Sequence, residues 1–232
     1  MSRKAQFKLV APSPFRPISA PKLAHVCHYL AALGGRAPDR PLFVCGAARR
    51  TAGEVAARVA ALASALTYDV GVRPGDRVAL ITSGSAAGFE ALLAVLAAGA
   101  VAAPLNTRWS AAEVADAADL IGATAVVFDA RFAPTAAALL SGAPPNSDRR
   151  SKRANGVRRT GVCVGGADRE LPAVATLSAE ALIMRRLGSR LEPLLAPEGA
   201  AVICFTSGTT GAAKGVLLTH ASFHCQVRPT RF

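Results

Sequence analysis

The sequence predicts an α/β fold built on a parallel sheet, and three observations carry that expectation. Short apolar runs fit for strands alternate with longer stretches whose apolar residues recur at three and four positions. One run, Arg77 to Thr82, is almost continuously apolar, as a strand covered by helices on both faces requires. Two capping boxes, Thr51-Ala52-Gly53-Glu54 and Ser110-Ala111-Ala112-Glu113, mark helix starts between such runs, because the hydroxyl and the carboxylate each satisfy a backbone donor near the other. At 232 residues and 51% apolar composition the chain can bury a core.

Residues 1 to 21 hold four prolines, three serines and four basic residues with no acid, and are expected to be a disordered leader. A transit peptide and a ragged terminus both fit that composition. From Lys22 to Leu33, Leu23, Val26, Leu30 and Leu33 line one face of an amphipathic helix, which Ala37-Pro38-Asp39 ends. Leu42 to Cys45 suits a short strand. The helix opened by Thr51 buries Val55, Val59, Leu62 and Leu66. Gly71 to Asp76 is a turn cluster before the strand Arg77 to Thr82. A helix around Glu90 to Ala97 and a strand from Val101 to Leu105 follow, then the helix from Ser110 through Val114 and Ile121, then a strand at Ala125 to Phe128. Parallel strands joined by helices imply right-handed crossovers. Ser141 to Glu170 breaks the pattern: Pro144-Pro145-Asn146-Ser147 and the run Arg149, Arg150, Lys152, Arg153, Arg158, Arg159 show no periodicity, and an irregular basic loop is expected over 141–170. An altered reading of the gene and a polyanion patch are the other readings of that stretch.

The net charge of +12 invites a nucleic-acid partner, but the excess is concentrated in residues 1–38 and 149–169 and no recognition motif accompanies it. Solvated appendages are expected, with no nucleic acid bound. The apolar stretch Ser85 to Leu105 contains Glu90 and Gly99 and reads as a buried helix and strand, not a membrane span, so a soluble chain is expected. Five scattered cysteines suit free thiols in a reducing compartment. His25, Cys27 and His28, and again His220, His224 and Cys225, could each offer ligands on a helix face, but nothing completes a tetrahedral zinc site and no metal is expected on protein ligands here.

The passage hardest to explain by folding is Phe205-Thr206-Ser207-Gly208-Thr209-Thr210-Gly211-Ala212-Ala213-Lys214-Gly215, set between the strand-like runs Ala200 to Phe205 and Val216 to Leu218. Hydroxyls, glycines and one lysine give a loop whose backbone N–H groups can turn toward one point, which suits a polyphosphate. The spacing is not that of the Walker loop, since Lys214 is followed by Gly215 and stands too far from Gly208. A plain hairpin turn would need only one or two glycines.

At these residues the chain resembles the adenylate-forming (AMP-binding) acyl-CoA synthetase and ligase superfamily. The string Thr206-Ser207-Gly208-Thr209-Thr210-Gly211, then Lys214-Gly215-Val216-Leu217-Leu218-Thr219-His220, is similar to that family's phosphate-loop signature. Ala213 stands where the family usually has proline. Arg50 to Glu54 and Leu96 to Asn106 resemble two further family segments, so the likeness covers roughly residues 22–132 and 171–224. It implies the parallel αβ layers of the family's large N-terminal domain, here incomplete. It also implies ATP, Mg2+ and coenzyme A as cofactor and cosubstrates, a small-molecule carboxylate as substrate, and nucleotide contacts at Thr206, Ser207, Gly208, Thr209, Thr210, Gly211 and Lys214. Family members are more than twice as long, and their acyl pocket, hinge and catalytic lysine have no counterpart here, so no catalytic residue is assigned within this chain. Ala103 to Ser110, Ala201 to Phe205 and the helix at His25-Val26-Cys27 look most similar to the plant 2-succinylbenzoate–CoA ligases of phylloquinone biosynthesis, a family associated with plastids or peroxisomes. A 4-coumarate-type or medium-chain ligase relative, and a non-catalytic truncated product, are the alternatives. Nothing in the sequence speaks to oligomeric state.

Overall fold

A computed structural model of the chain describes residues 8–10, 25–46, 48–140, 159–166, 176–194, 199–206 and 214–227. One eight-stranded sheet organises them. Its strands are β1 (Lys8–Val10), β4 (Arg77–Ile81), β5 (Val101–Pro104), β6 (Ala123–Asp129), β7 (Thr160–Val164), β8 (Thr176–Ser178), β9 (Ala200–Thr206) and β10 (Lys214–Thr219), in the order β1-β10-β9-β5-β4-β6-β7-β8. A separate ribbon pairs β2 (Pro41–Cys45) with β3 (Ala48–Thr51). Every pairing in the large sheet is parallel except β9 with β10. The α/β class with a parallel sheet is therefore as the sequence reads.

Helices cover both faces, which explains why β4 can be apolar along nearly its whole length. On one face lie α1 (Val26–Arg36), α2 (Ala52–Tyr68), α3 (Ala86–Ala97) and α6 (Ala179–Arg185), packed through Leu30, Val55, Leu62, Leu93 and Leu182 onto Val78, Leu80 and Val127. On the other lie α4 (Ala111–Leu120) and α5 (Ala133–Leu140), packed through Val114, Ala118, Ala136 and Leu139 onto Ile81, Val126 and Phe128. Burying a Leu or Phe of this kind stabilises the fold by about 1.5–3 kcal/mol each.

Both capping boxes form. Thr51 accepts from the Glu54 amide and Glu54 accepts from the Thr51 amide at 2.8 Å. Ser110 and Glu113 repeat the exchange at α4. Ser85 caps α3 by accepting from the Gly88 amide at 3.1 Å. One buried acid ties three helices together: Glu90 of α3, 2% exposed, accepts from Nε of Arg58 on α2 at 2.8 Å, and the same guanidinium reaches Glu180 of α6. Removing Glu90 from that arrangement would leave a partly buried cation with one partner fewer.

The structure departs from the sequence reading in four places. α1 begins at Val26 behind an N-cap at His25 and runs through Gly34 and Gly35 to Arg36, so Leu23, assigned to its face, lies outside the described residues. Gly34 is tolerated because α1 and α2 approach closely there: a Cβ on it would sit 2.7 Å from that of Ala56. The ribbon β2–β3 replaces the single strand expected at Leu42 to Cys45, since Arg49 and Arg50 give β3 no apolar signal. Lys8–Val10, inside the segment expected to be a disordered leader, pairs as β1 with Lys214 to Val216. Finally, the expected basic loop over 141–170 contains β7, whose Gly161 to Val164 are buried beside β6. Arg159 belongs to that strand's anchor, not to an exposed run: its guanidinium donates to the carbonyl of Ala123 at 3.0 Å and pairs with Asp119. Residues 141–158 and 167–175 lie outside the described set.

Candidate functional site

Strands β4, β5, β6, β7 and β9 all point the same way, so their carboxyl ends form one edge. Within the sheet, β5-β4-β6-β7 places consecutive strands on opposite sides of β4, and ligands of such sheets bind outside the carboxyl ends near that reversal. The loop singled out in the sequence leaves β9 at this edge and returns as β10.

Its two stems are described. Thr206 ends β9, Lys214 begins β10, and the pair face each other in register, with the Thr206 hydroxyl donating to the Lys214 carbonyl at 3.4 Å. Both side chains are exposed. Five further predicted contacts, Ser207, Gly208, Thr209, Thr210 and Gly211, lie outside the described residues. Behind the stems, Gly215 is buried opposite Phe205, and Phe205 meets Trp109 edge-on, with ring centroids 5.6 Å apart and planes at 77°. Trp109 comes from the turn after β5, where the Asn106 side chain accepts from the Arg108 amide at 3.0 Å and Arg108 stands exposed.

Further along the edge, a cavity of about 280 Å³ opens between the ends of β4, β6 and β7, lined by Ser83, Ser85, Asp129, Arg131, Gly165 and Gly166. Asp129, 6% exposed, accepts from the Ser83 amide at 2.7 Å and from its hydroxyl. Arg131 donates to the same hydroxyl at 2.7 Å while keeping an exposed side chain. The sequence reading missed this group because its members come from separate turns; the signal available is a polar residue at or just past the end of a strand, Asp129 closing β6 and Ser83 two residues beyond β4. Arg131 and the Ser83 hydroxyl line this cavity beside the Asp129 carboxylate, while Lys214 and Arg108 stand exposed elsewhere along the edge, at β10 and in the turn after β5; cations and hydroxyls of this kind are the donors that negatively charged oxygens need. The described loop stems carry no carboxylate, so they do not fit a divalent metal on their own.

At the opposite end of β10 the structure brings together histidines that the sequence reading had treated separately. His25 and His220, 0% and 2% exposed, stack with centroids 3.9 Å apart, and Nδ1 of His220 accepts from the Val26 amide at 3.4 Å. Burial first, then the neighbouring His25 and His28, push His220 down to about 4, and burial lowers His25 as well. Cys27 donates to the Leu93 carbonyl, and burial pushes its thiol up to about 12. Among the described residues no group of three or more His, Cys, Asp or Glu is placed to hold a metal ion, and no helix is long and apolar enough to cross a membrane.

Comparison with known proteins gives the fold and loop a context. The family described as AMP-binding enzyme matches residues 31–231. The chain is 34% identical over 203 residues to a chloroplastic/peroxisomal 2-succinylbenzoate–CoA ligase of Arabidopsis thaliana, covering 87% of this chain and 34% of that one. It is 33% identical to a 4-coumarate–CoA ligase-like protein of Oryza sativa subsp. japonica, covering 86% of this chain and 33% of the other. Among solved structures, a Mycobacterium tuberculosis fatty acyl CoA synthetase superposes with a TM-score of 0.65 at 25% identity, covering 88% of this chain and 36% of that one. The chain thus spans about a third of the length of the curated relatives it matches.

Proposed function

Because this chain belongs to the AMP-binding enzyme family, we propose that it is the phosphate-loop portion of an ATP-dependent acid–CoA ligase. In that reaction a substrate carboxylate oxygen attacks the α-phosphorus of ATP, the bond to the β-phosphate breaks, and pyrophosphate leaves. The thiol of coenzyme A then attacks the acyl carbonyl and AMP departs. The observation that carries this reading is the hairpin β9–β10, which holds Thr206 and Lys214 face to face at the carboxyl edge of the parallel sheet.

The chain's own residues supply binding. Lys214 places an ammonium, and Thr206 a hydroxyl, where negative charge grows on the β- and γ-phosphates as the α-phosphorus is attacked; Ser207, Thr209, Thr210 and the amides of Gly208 and Gly211 complete the cradle. Mg2+, when bound, neutralises phosphate oxygens, and with no carboxylate in the loop its protein ligands belong to other parts of the enzyme. Adenylation also needs charge on the far side of the nucleotide, so this chain alone binds ATP without turning it over.

The acid is 2-succinylbenzoate, and the protein works in phylloquinone biosynthesis in a plastid or peroxisome; the Arabidopsis relative and the sequence around Trp109 support this. The near-equal identity to the rice protein favours a second reading, a 4-coumarate-type substrate.

Calorimetry of the chain with ATP and Mg2+, with and without Lys214→Ala, tests the loop. Loss of one charge-assisted contact should weaken binding about tenfold or more. Unchanged binding in the variant would show that the loop is not engaged, and exchange of pyrophosphate into ATP by the chain alone would overturn its incompleteness.

A further inference from the structure

The first turn of α1 is capped by imidazoles. A helix leaves its first amides without partners of its own, and the residues that usually satisfy them are Ser, Thr, Asp and Asn. Here His25 stands at the N-cap, and its Nδ1 accepts from the Cys27 amide at 3.0 Å. The Val26 amide goes to Nδ1 of His220, the first residue of α7 (His220–Val227), at 3.4 Å. The next amide, that of His28, donates to the His25 carbonyl at 3.0 Å.

These partners fix where the protons are. A ring nitrogen that accepts from an N–H carries no hydrogen, so the proton of His25 sits on Nε2, which donates to the Leu96 carbonyl of α3 at 3.0 Å. Both nitrogens of that fully buried ring are thereby spent. A second proton on either ring would have to go to Nδ1, where it would point at an amide hydrogen. It would also set a cation at the positive end of the α1 dipole, beside a second imidazole stacked 3.9 Å away.

Nothing nearby offsets that charge. From α1 the pair is faced by His28 and Cys27, from α3 by the carbonyls of Leu96 and Leu93, and from the turn at Leu194 by its carbonyl. Beside His220, the hydroxyls of Thr219 and Ser222 are neutral and bonded to each other. Among the described residues no carboxylate faces either ring.

We propose that His25 and His220 form an acid-released latch between α1 and α7: neutral, they hold the first turn of α1, and a proton on either breaks the cap so that this turn and the start of α7 part locally. The opening exposes Cys27 and the two rings and leaves Val55, Leu62 and Leu182 packed on the sheet.

Amide hydrogen exchange of the whole chain at pH 7.5 and pH 5, corrected for the intrinsic effect of pH, tests the latch. Val26 and Cys27 should exchange faster than Leu62 of α2 at both pH values, through an opening that low urea does not promote, because little surface is exposed. Their protection should fall about thirtyfold between the two, the factor that follows from His220 at about 4 against an ordinary 6.5. His25→Asn keeps an oxygen to accept from the Cys27 amide, and His220→Phe keeps a ring to stack. Together they remove both titrations, and the fall should shrink to about twofold or less. Exchange at Val26 and Cys27 no faster than at Leu62 would show that they open only with the whole fold. An undiminished fall in the double variant would place the acid response elsewhere, and either result overturns the latch. Should the double variant fail to fold, His25→Asn alone decides, with a fall smaller than that of the unaltered chain expected and an equal one fatal to the proposal.

Discussion

Acid should unfold this protein through His220 before its carboxylates matter. The ring is 2% exposed, its Nδ1 accepts from the Val26 amide, and its buried Nε2 has no hydrogen-bond partner among the described residues. Protonation would put a proton on Nδ1 facing an N–H group, and a charge beside the stacked ring of His25. Among the described residues, the titratable groups around the pair are His28 and Cys27 on α1, while α3 contributes the carbonyls of Leu96 and Leu93. His220 sits at about 4 folded, against the ordinary 6.5 of an exposed imidazole. The folded state therefore binds fewer protons, and stability present above the unfolded value is lost as pH falls from 6.5 toward 4. Between pH 7.5 and pH 5 the loss from this one group is about 2 kcal/mol, and His25, lowered in the same direction, adds to it. For a chain of this size that is a fall in Tm of about 4–8 °C. Thermal unfolding at the two pH values measures it directly. His220→Phe keeps a ring to stack and removes the titration, so its loss over the same interval should be smaller by about 2 kcal/mol. An equally steep loss in the variant would refute the reasoning and move the acid sensitivity to other groups.

Two substitutions test the packing behind the site. Glu90→Ala leaves the Arg58 guanidinium, 17% exposed, with Glu180 alone, and should destabilise by about 3 kcal/mol; a urea midpoint within experimental error of the unaltered chain would show that the pair contributes little. Gly53→Ala would place a Cβ 2.9 Å from that of Pro38 and 3.2 Å from its backbone, with no flexible side chain to yield. The better helix propensity of alanine offsets part of that crowding, and a net loss of about 1 kcal/mol is expected in chemical denaturation.

Local signals made much of the fold legible. The boxes at Thr51 and Ser110 announce their helices because the partners lie within one turn of each other, and the apolar run at Arg77 announces a doubly covered strand. β3 was hidden because Arg49 and Arg50 form a strand from residues that favour water, and β7 because its five residues follow a basic, proline-containing stretch. The exit strand of the phosphate loop was legible, but its support was not. Trp109 and Phe205, or His25 and His220, meet only because the sheet order brings distant turns together, and no periodicity in the chain records that. The cavity at Ser83, Asp129 and Arg131 was invisible for the same reason.

The strand Lys8–Val10 closes one edge of the sheet. It supplies hydrogen bonds to Lys214, Gly215 and Val216, the residues by which the phosphate loop re-enters the sheet. Cutting the chain after residue 21 would remove β1 with the rest and turn that stretch of β10 into a bare sheet edge, open to a strand from another molecule. Loss of Lys8–Val10 would exchange a shielded edge beside Lys214 for a sticky one.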